Sequence, residues 1–256
     1  MLPLKDIEDK VIERTSIAQS IVHAFDHLKR TAIGAKWFAE KFGCDKELQE
    51  KAYLSGLLHD VYRPPSDLRH AQTLSKDYDD AVEILKEFNL SDELIAEVTL
   101  PIKTHRRWDN TDNILCKCIF LSDKILENMG AMIVFRRNMY LAETTDYVGV
   151  ELEEAVVTQY EKRLQLYKPE IFPNNFLKLA NYQYSWPLNY IESYKKKEEW
   201  AIYLNEYCFK KGKENAEFEQ MIEEFEPKFE KDSEYKEETL QYLQGSKFKS
   251  FERLLL

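Results

Sequence analysis

The amino-acid sequence predicts an all-α protein, and three observations support this fold class. Only 7 glycines and 8 prolines occur among the 256 residues, so residues that interrupt helices are scarce. Apolar residues recur at steps of three and four along most of the chain, which is the period of an α-helix. No stretch shows a convincing strand pattern. We therefore expect a helical bundle, with 44% hydrophobic residues to form its core.

The first two predicted helices are separated by a glycine. A long helix is expected over about residues 15–42, because apolar residues such as Ile17 and Leu28 recur on one of its faces. Gly43 is expected to end this helix, since glycine adopts the left-handed conformation that often follows a C-terminus. A second helix is expected over about residues 46–59.

A loop and two further helices are predicted next. Residues 61–71 include two adjacent prolines, which favour a loop. A helix is expected over about residues 75–88. Another should begin at Ser91, whose side chain can cap it, and should run toward His105. Pro101 is expected to kink or break that helix, because proline lacks the backbone N–H group.

The next part of the chain is also predicted to be helical. A strongly apolar helix is expected over residues 111–127, followed by a break at Gly130 and a helix over about residues 131–142. A further helix is expected over residues 150–167, before a segment with a proline at each end, residues 169–173.

The chain becomes more charged after about residue 212, which indicates peripheral helices. We therefore expect a principal helical domain over residues 1–210, with its functional motifs within residues 15–140. Residues 211–256 are expected to form a C-terminal helical extension.

The charge and the cysteine content narrow the functional class. A net charge of −10 argues against a general nucleic-acid-binding surface and against long nucleic acid as a partner. The four cysteines form no CxxC pair, which favours a reducing cytoplasm over a secreted disulfide framework. The charged N-terminal segment does not resemble a signal peptide, and no apolar run approaches the roughly 18 residues that span a bilayer. We expect a cytoplasmic protein without a membrane partner.

Several residues that can bind metal lie on different predicted helices. His23 and His27 are four residues apart and therefore share one helix face. His59 and Asp60 end the second predicted helix. Asp123 lies in the apolar run IFLSDKIL, where a buried carboxylate is costly without a partner. Asp123 alone is better explained as a helix cap or part of an ion pair.

The combined set favours a metal site, with ligands His27, His59, Asp60 and Asp123. Two imidazoles and two carboxylates suit Mn²⁺, Fe²⁺, Zn²⁺, Co²⁺ or Ni²⁺, and Mg²⁺ is a further candidate. The identity of the ion is left open, and a second ion is compatible with the sequence.

The order of these residues resembles the HD-domain metal-dependent phosphohydrolase superfamily, in particular its small bacterial and archaeal hydrolases. The resemblance covers residues 15–140 and is carried by HAFDHLKR, LSGLLHDVYRP, RHAQTLSKDYDDAVEIL, IKTHRRW and LSDKILENMGAMIVFRR. It implies an all-α bundle with the metal ligands at its centre. One departure is Ala24, where related small enzymes often have Asp, and it concerns the substrate role of His23 rather than the metal site.

The resemblance also implies roles for residues around the ion. Asp60, His70 and His105 are expected to take part in catalysis. The two histidines would line the phosphate pocket beside one ion, or would bind a second ion. The residues expected to bind substrate are His23, Arg30, Lys124 and Arg136.

These expectations lead to a metal-dependent phosphohydrolase. Its substrate would be a small phosphorylated molecule, with a nucleotide favoured, and the bond cleaved would be a phosphate ester or a pyrophosphate. A metal-binding regulatory module without catalytic activity is an alternative, and a di-iron oxygenase on the same fold is a less favoured one. The sequence leaves the substrate and the oligomeric state open, and a homo-oligomer is compatible with it.

Overall fold

The computed structural model of the protein describes residues 2–16, 24–62, 70–104, 112–144 and 146–255, without the side chains of residues 70–75. Every regular element within these ranges is helical, so the predicted all-α class is confirmed. The α-helices are α1 Leu4–Ser16, α2 Phe25–Lys41, α3 Lys46–Leu58, α4 His70–Glu87, α5 Asp92–Thr104, α6 Ile114–Leu121, α7 Ala131–Tyr140, α8 Leu152–Leu166, α9 Leu177–Lys195, α10 Glu199–Lys213, α11 Phe218–Glu224, α12 Glu230–Leu243 and α13 Phe248–Glu252. Among them, no helix has both the length and the apolar character required to cross a membrane.

The chain forms two compact units, Met1–Leu126 and Glu127–Leu256. In the second unit, α7 packs against α9, α10 and α12. Helices before and after residue 210 therefore belong to the same unit. The separate role expected for residues 211–256 stays a prediction.

The core of the first unit lies between α2, α3 and α5. Helix α3 packs against both α2 and α5. Leu28 on α2, Leu54 and Leu58 on α3 and Val98 on α5 are completely buried in this core. Burial of a leucine or valine side chain contributes about 1.5–3 kcal/mol to the free energy of unfolding. This packing holds the start of α2 and the end of α3 in place.

Two glycines allow α2 to approach its neighbours closely. A Cβ atom added at Gly56 would lie 2.7 Å from the Cα atom of Ala32, so α3 could not take this position with a larger residue there. A Cβ atom at Gly34 would overlap the side chain of Ser122 and would lie 2.9 Å from Leu126 Cδ1. The backbones of α2 and α3 are therefore in direct contact at Gly56.

The structure corrects the prediction of one helix over residues 15–42. The backbone of Ala24 is extended, and α2 begins at the next residue, Phe25. Residues 17–23 of the predicted helix lie outside the described part of the chain. Helix α1, which buries Ile7 and Val11, was not foreseen from the sequence. The apolar period continues across Ala24, and for that reason the pattern alone did not reveal this interruption.

Two further elements differ from their predicted form. Pro101 lies inside α5, which continues to Thr104, so the alternative of a break at this proline is wrong. The predicted helix over residues 111–127 begins later, because the Asn113 side chain caps α6 by accepting the N–H of Leu115 at 2.9 Å. Its last part, Ser122–Glu127, is a π-helical segment rather than an α-helix.

Candidate metal centre

The packing of α2 against α3 brings two histidine side chains together. His27 lies in the first turn of α2, and His59 is the residue that follows the last turn of α3. Both side chains are buried, and His59 is 0% exposed. Their ring centroids lie 5.1 Å apart, with the planes inclined by 67°. Two imidazoles from different helices therefore face a common point.

A hydrogen bond to the backbone orients the ring of His59. Its Nδ1 atom lies 2.7 Å from the carbonyl oxygen of Gly56. Since a carbonyl oxygen can only accept, Nδ1 donates its N–H group, and in the neutral ring Nε2 carries the lone pair. Metal-binding histidines are typically oriented in this way, by a hydrogen bond from the other ring nitrogen.

The Asp60 carboxylate completes a compact group of ligand atoms. Its Oδ2 atom lies 3.7 Å from His59 Nε2, and its side chain is buried. One potential ligand atom from each of His27, His59 and Asp60 lies within 4.8 Å of the other two. Two imidazoles and a carboxylate at this spacing fit a divalent transition-metal ion. Such a cation would also stabilise the buried carboxylate.

Asp123 lies in the π-helical segment Ser122–Glu127, and its side chain is buried. Single turns of π-helix are rare and frequently occur at functional sites. The Asp123 carboxylate accepts a hydrogen bond from the ammonium group of Lys124. Within the described part of the chain, the compact group contains three of the four predicted ligands, and Asp123 is not one of them. The metal-binding role of Asp123 stays a prediction.

Hydrogen bonds connect this segment to the turn of α2 that carries His27. Ser122 Oγ donates to the carbonyl oxygen of Thr31 at 2.8 Å, and both residues are fully buried. Thr31 Oγ1 in turn donates to the carbonyl oxygen of His27 at 2.9 Å. The close approach at Gly34 allows these contacts.

The comparison with known families agrees with this geometry. The sequence model of the HD domain family matches residues 24–128, which include all four predicted metal ligands. This part of the chain is similar to an HD domain. Among curated proteins and solved structures, none matches it. HD domains bind divalent metals and are typical of metal-dependent phosphohydrolases, so the family suggests a metal-dependent hydrolase.

Two of the predicted substrate-binding residues lie in the same unit of the protein as the predicted ligands. Arg30 follows His27 by three residues on α2, and Lys124 follows Asp123. Both side chains are buried, although long charged side chains are rarely buried without a partner. Lys124 forms an ion pair with Asp123.

The other predicted site residues lie in the second unit or outside the described part of the chain. Arg136 belongs to the second unit, where its Nη1 atom lies 3.6 Å from Glu127 Oε2 and donates to the Glu127 carbonyl oxygen at 3.2 Å. His23 and His105 lie outside the described residues. His70 begins α4, but its side chain is also outside the described part. Their roles remain predictions.

One buried carboxylate near the HD motif was missed by the sequence analysis. Asp77 on α4 is fully buried, and its Oδ1 atom accepts the backbone N–H of Tyr62 at 2.8 Å. This bond fixes the chain two residues after Asp60. The spacing of Asp77, Ala81 and Ile84 places all three on one face of α4, and this pattern could have revealed it.

Proposed function

We propose that this protein is a metal-dependent phosphohydrolase. It would cleave a phosphate ester or a pyrophosphate bond of a small phosphorylated substrate, with a nucleotide favoured. The observation that supports this most directly is the buried group formed by His27, His59 and Asp60, whose ligand atoms lie within 4.8 Å of one another. The HD domain match over residues 24–128 supports the same class of activity.

The metal would be held by His27, His59 and Asp60, with Asp123 as the fourth ligand. A divalent ion, when bound, lowers the pKa of water and polarises a phosphoryl oxygen. The hydrogen bond from His59 Nδ1 to Gly56 maintains the ring orientation that metal binding requires. The adjacent Asp60 carboxylate supplies negative charge beside the two imidazoles.

Positive side chains near the ligands would bind the phosphate group. Arg30 lies about one turn of α2 beyond His27, and a guanidinium can donate two parallel hydrogen bonds to phosphate. Lys124 adds a positive charge beside Asp123. Because both side chains are buried, their charges act in a medium of low dielectric constant and interact more strongly with phosphate. Arg136 is the less favoured phosphate ligand, because its guanidinium already lies beside Glu127.

Three histidines complete the proposal. His70 and His105 would transfer protons to or from the substrate, and His23 would contact it. If the centre holds two ions, His70 and His105 would instead bind the second ion. One tightly bound ion is the version that we favour.

The test combines metal removal with a substrate panel. The full-length protein would be stripped with a chelator, reloaded with Mn²⁺ and assayed against nucleotides and simple phosphomonoesters. We expect hydrolysis to require Mn²⁺, to disappear in Asp60→Asn and to persist in the control Asp146→Asn, whose carboxylate is exposed. Metal binding without hydrolysis of any panel member would favour a regulatory module. Absence of metal binding in the wild type would contradict the proposal.

A further inference from the structure

Ser122, the first residue of the π-helical segment, has hydrogen bonds to two helices of the first unit. Its backbone N–H follows the last turn of α6 and donates to the carbonyl oxygens of Cys118 and Ile119. Its Oγ atom donates to the carbonyl oxygen of Thr31 on α2 at 2.8 Å. Both Ser122 and Thr31 are completely buried. Ser122 therefore joins the end of α6 to α2.

The carbonyl group of Thr31 lies at a point where three segments of the chain meet. It belongs to α2 and accepts the hydroxyl of Ser122 from the π-helical segment. A Cβ atom added at Gly56 on α3 would lie only 3.0 Å from this carbonyl oxygen. The helix before Asp60 and the segment that contains Asp123 therefore approach the same backbone group of α2.

The approach of Ser122 to α2 requires the glycine at position 34. Thr31 and Gly34 are three residues apart and lie on one face of α2. A Cβ atom at Gly34 would overlap the hydroxyl of Ser122 and would lie 2.9 Å from Leu126 Cδ1. Because this space is filled so closely, the Ser122 side chain has little freedom to leave the Thr31 carbonyl.

The hydrogen bond of Ser122 connects the chain segments of two predicted ligands. Thr31 lies one turn after His27 on α2, and its hydroxyl donates to the His27 carbonyl oxygen at 2.9 Å. Asp123 directly follows Ser122. The side chains of a binding site must be held within about 0.5 Å of the productive geometry, so the spacing of their backbones matters.

We propose that Ser122 is a positioning residue, which fixes the backbone of Asp123 relative to the turn of α2 that carries His27. The inference rests on the proposed function, in which His27 and Asp123 bind the same metal ion. Ser122 would contribute to the affinity for the metal without providing a ligand atom.

The chain offers a matched control for the Ser122→Ala variant. Thr99 on α5 is also completely buried and also lies in the first unit. Its Oγ1 atom donates to a backbone carbonyl oxygen, that of Ile95, at 2.7 Å. Ser122→Ala and Thr99→Val therefore each remove one buried hydroxyl that donates to the main chain. Only Ser122→Ala removes a contact between the segments of two predicted ligands.

The measurement is the Kd for Mn²⁺, from titration of the chelator-treated full-length protein. Each change would be made in the wild type and in Asp123→Asn. We expect Ser122→Ala to raise the Kd about tenfold, as loss of an outer partner of a metal ligand does. In the Asp123→Asn background, the same change should raise the Kd by no more than about twofold, because Ser122 acts through Asp123. Thr99→Val should leave the Kd unchanged in both backgrounds.

An unchanged Kd in Ser122→Ala would overturn the inference. Equal losses of affinity in the two backgrounds would also overturn it, because Ser122 would then act independently of Asp123. Equal losses in Ser122→Ala and Thr99→Val would do the same, since they would indicate general destabilisation.

A wild type that binds no Mn²⁺ would contradict the proposed function instead. In that event, hydrogen–deuterium exchange of the backbone amides in residues 122–126 would test the positioning contact. Faster exchange in Ser122→Ala than in Thr99→Val would support the contact, and equal exchange would overturn it.

Discussion

The imidazole rings of His27 and His59 meet edge to face with their centroids 5.1 Å apart, although they belong to different helices. The relationship depends on the close contact of α2 and α3, which the absence of a side chain at Gly56 allows. The hydrogen bond from His59 Nδ1 to the Gly56 carbonyl adds a second role for this glycine, since its backbone also orients the ring.

Replacement of Gly56 by alanine should therefore damage both stability and metal binding. The new Cβ atom would lie 2.7 Å from Ala32 Cα, and overpacking of this kind costs about 1–3 kcal/mol. Urea unfolding and Mn²⁺ titration would measure the two effects. The control is Gly43→Ala, where φ is +75° and the added atom would meet nothing within 4 Å. That variant should lose about 1–2 kcal/mol from backbone strain and keep its affinity for Mn²⁺. Wild-type affinity in Gly56→Ala would contradict the role assigned to this contact.

His59→Ala should abolish stoichiometric metal binding and leave much of the helix content intact. The imidazole is a proposed metal ligand, whereas the helical core of Leu28, Leu54 and Val98 does not require it. Saturation with metal at about 100 times Kd should stabilise the wild type by about 2.7 kcal/mol, and this gain should vanish in the variant. Metal analysis, circular dichroism and thermal unfolding would test this. Leu54→Ala is the control, because it should lose about 2–5 kcal/mol of stability and still respond to metal. Full metal content in His59→Ala would exclude His59 as a ligand.

Lys124→Met should impair hydrolysis without removing the metal. Methionine preserves most of the apolar volume and removes the charge that is proposed to bind phosphate. We expect kcat/KM to fall about 100-fold, as for loss of one electrostatic donor in a buried site. Lys117→Met is a suitable control, because Lys117 pairs with the exposed Asp112. Equal kcat/KM in wild type and Lys124→Met would show that Lys124 does not bind phosphate and only forms the ion pair with Asp123.

The first unit should lose stability at alkaline pH. Tyr53 donates its hydroxyl to Glu8 Oε1 at 2.6 Å, and burial, followed by the Glu8 contact, raises the pKa of Tyr53 above its ordinary value of 10.0. Because the folded-state pKa is raised, the stabilisation is fully present below about pH 10 and is lost as the pH rises above it. The free energy of unfolding, from urea titrations at successive pH values, should therefore decline above about pH 10.

A matched variant tests the origin of this decline. Tyr53→Phe removes the titrating group, so its free energy of unfolding should decline less steeply at high pH than that of the wild type. Tyr160 and Tyr190 in the second unit also have raised pKa values because of burial, so part of the decline should persist. Identical slopes in Tyr53→Phe and wild type would show that Tyr53 does not contribute.

The sequence by itself predicted the helical class and the three residues of the compact group, His27, His59 and Asp60. The scarcity of glycine and proline and the helical apolar period are local properties, so they can be read without a structure. His27, His59 and Asp60 could be named because their order in the motifs HAFDHLKR and LSGLLHDVYRP resembles that of the HD-domain superfamily. The substrate and the roles of His70 and His105 stay predictions.

Only the tertiary structure decided which side chains contact each other although they are far apart in the sequence. Three features have no signature in the local pattern: the extended backbone of Ala24, the π-helical form of Ser122–Glu127 and the contact of Tyr242 with Glu127. The physical reason is that a local pattern specifies which face of a helix is apolar, but not which other helix covers it. Arg136 illustrates the difference. Its phosphate-binding role stays a prediction from the motif, and only the fold shows that its guanidinium lies beside the buried Glu127 carboxylate.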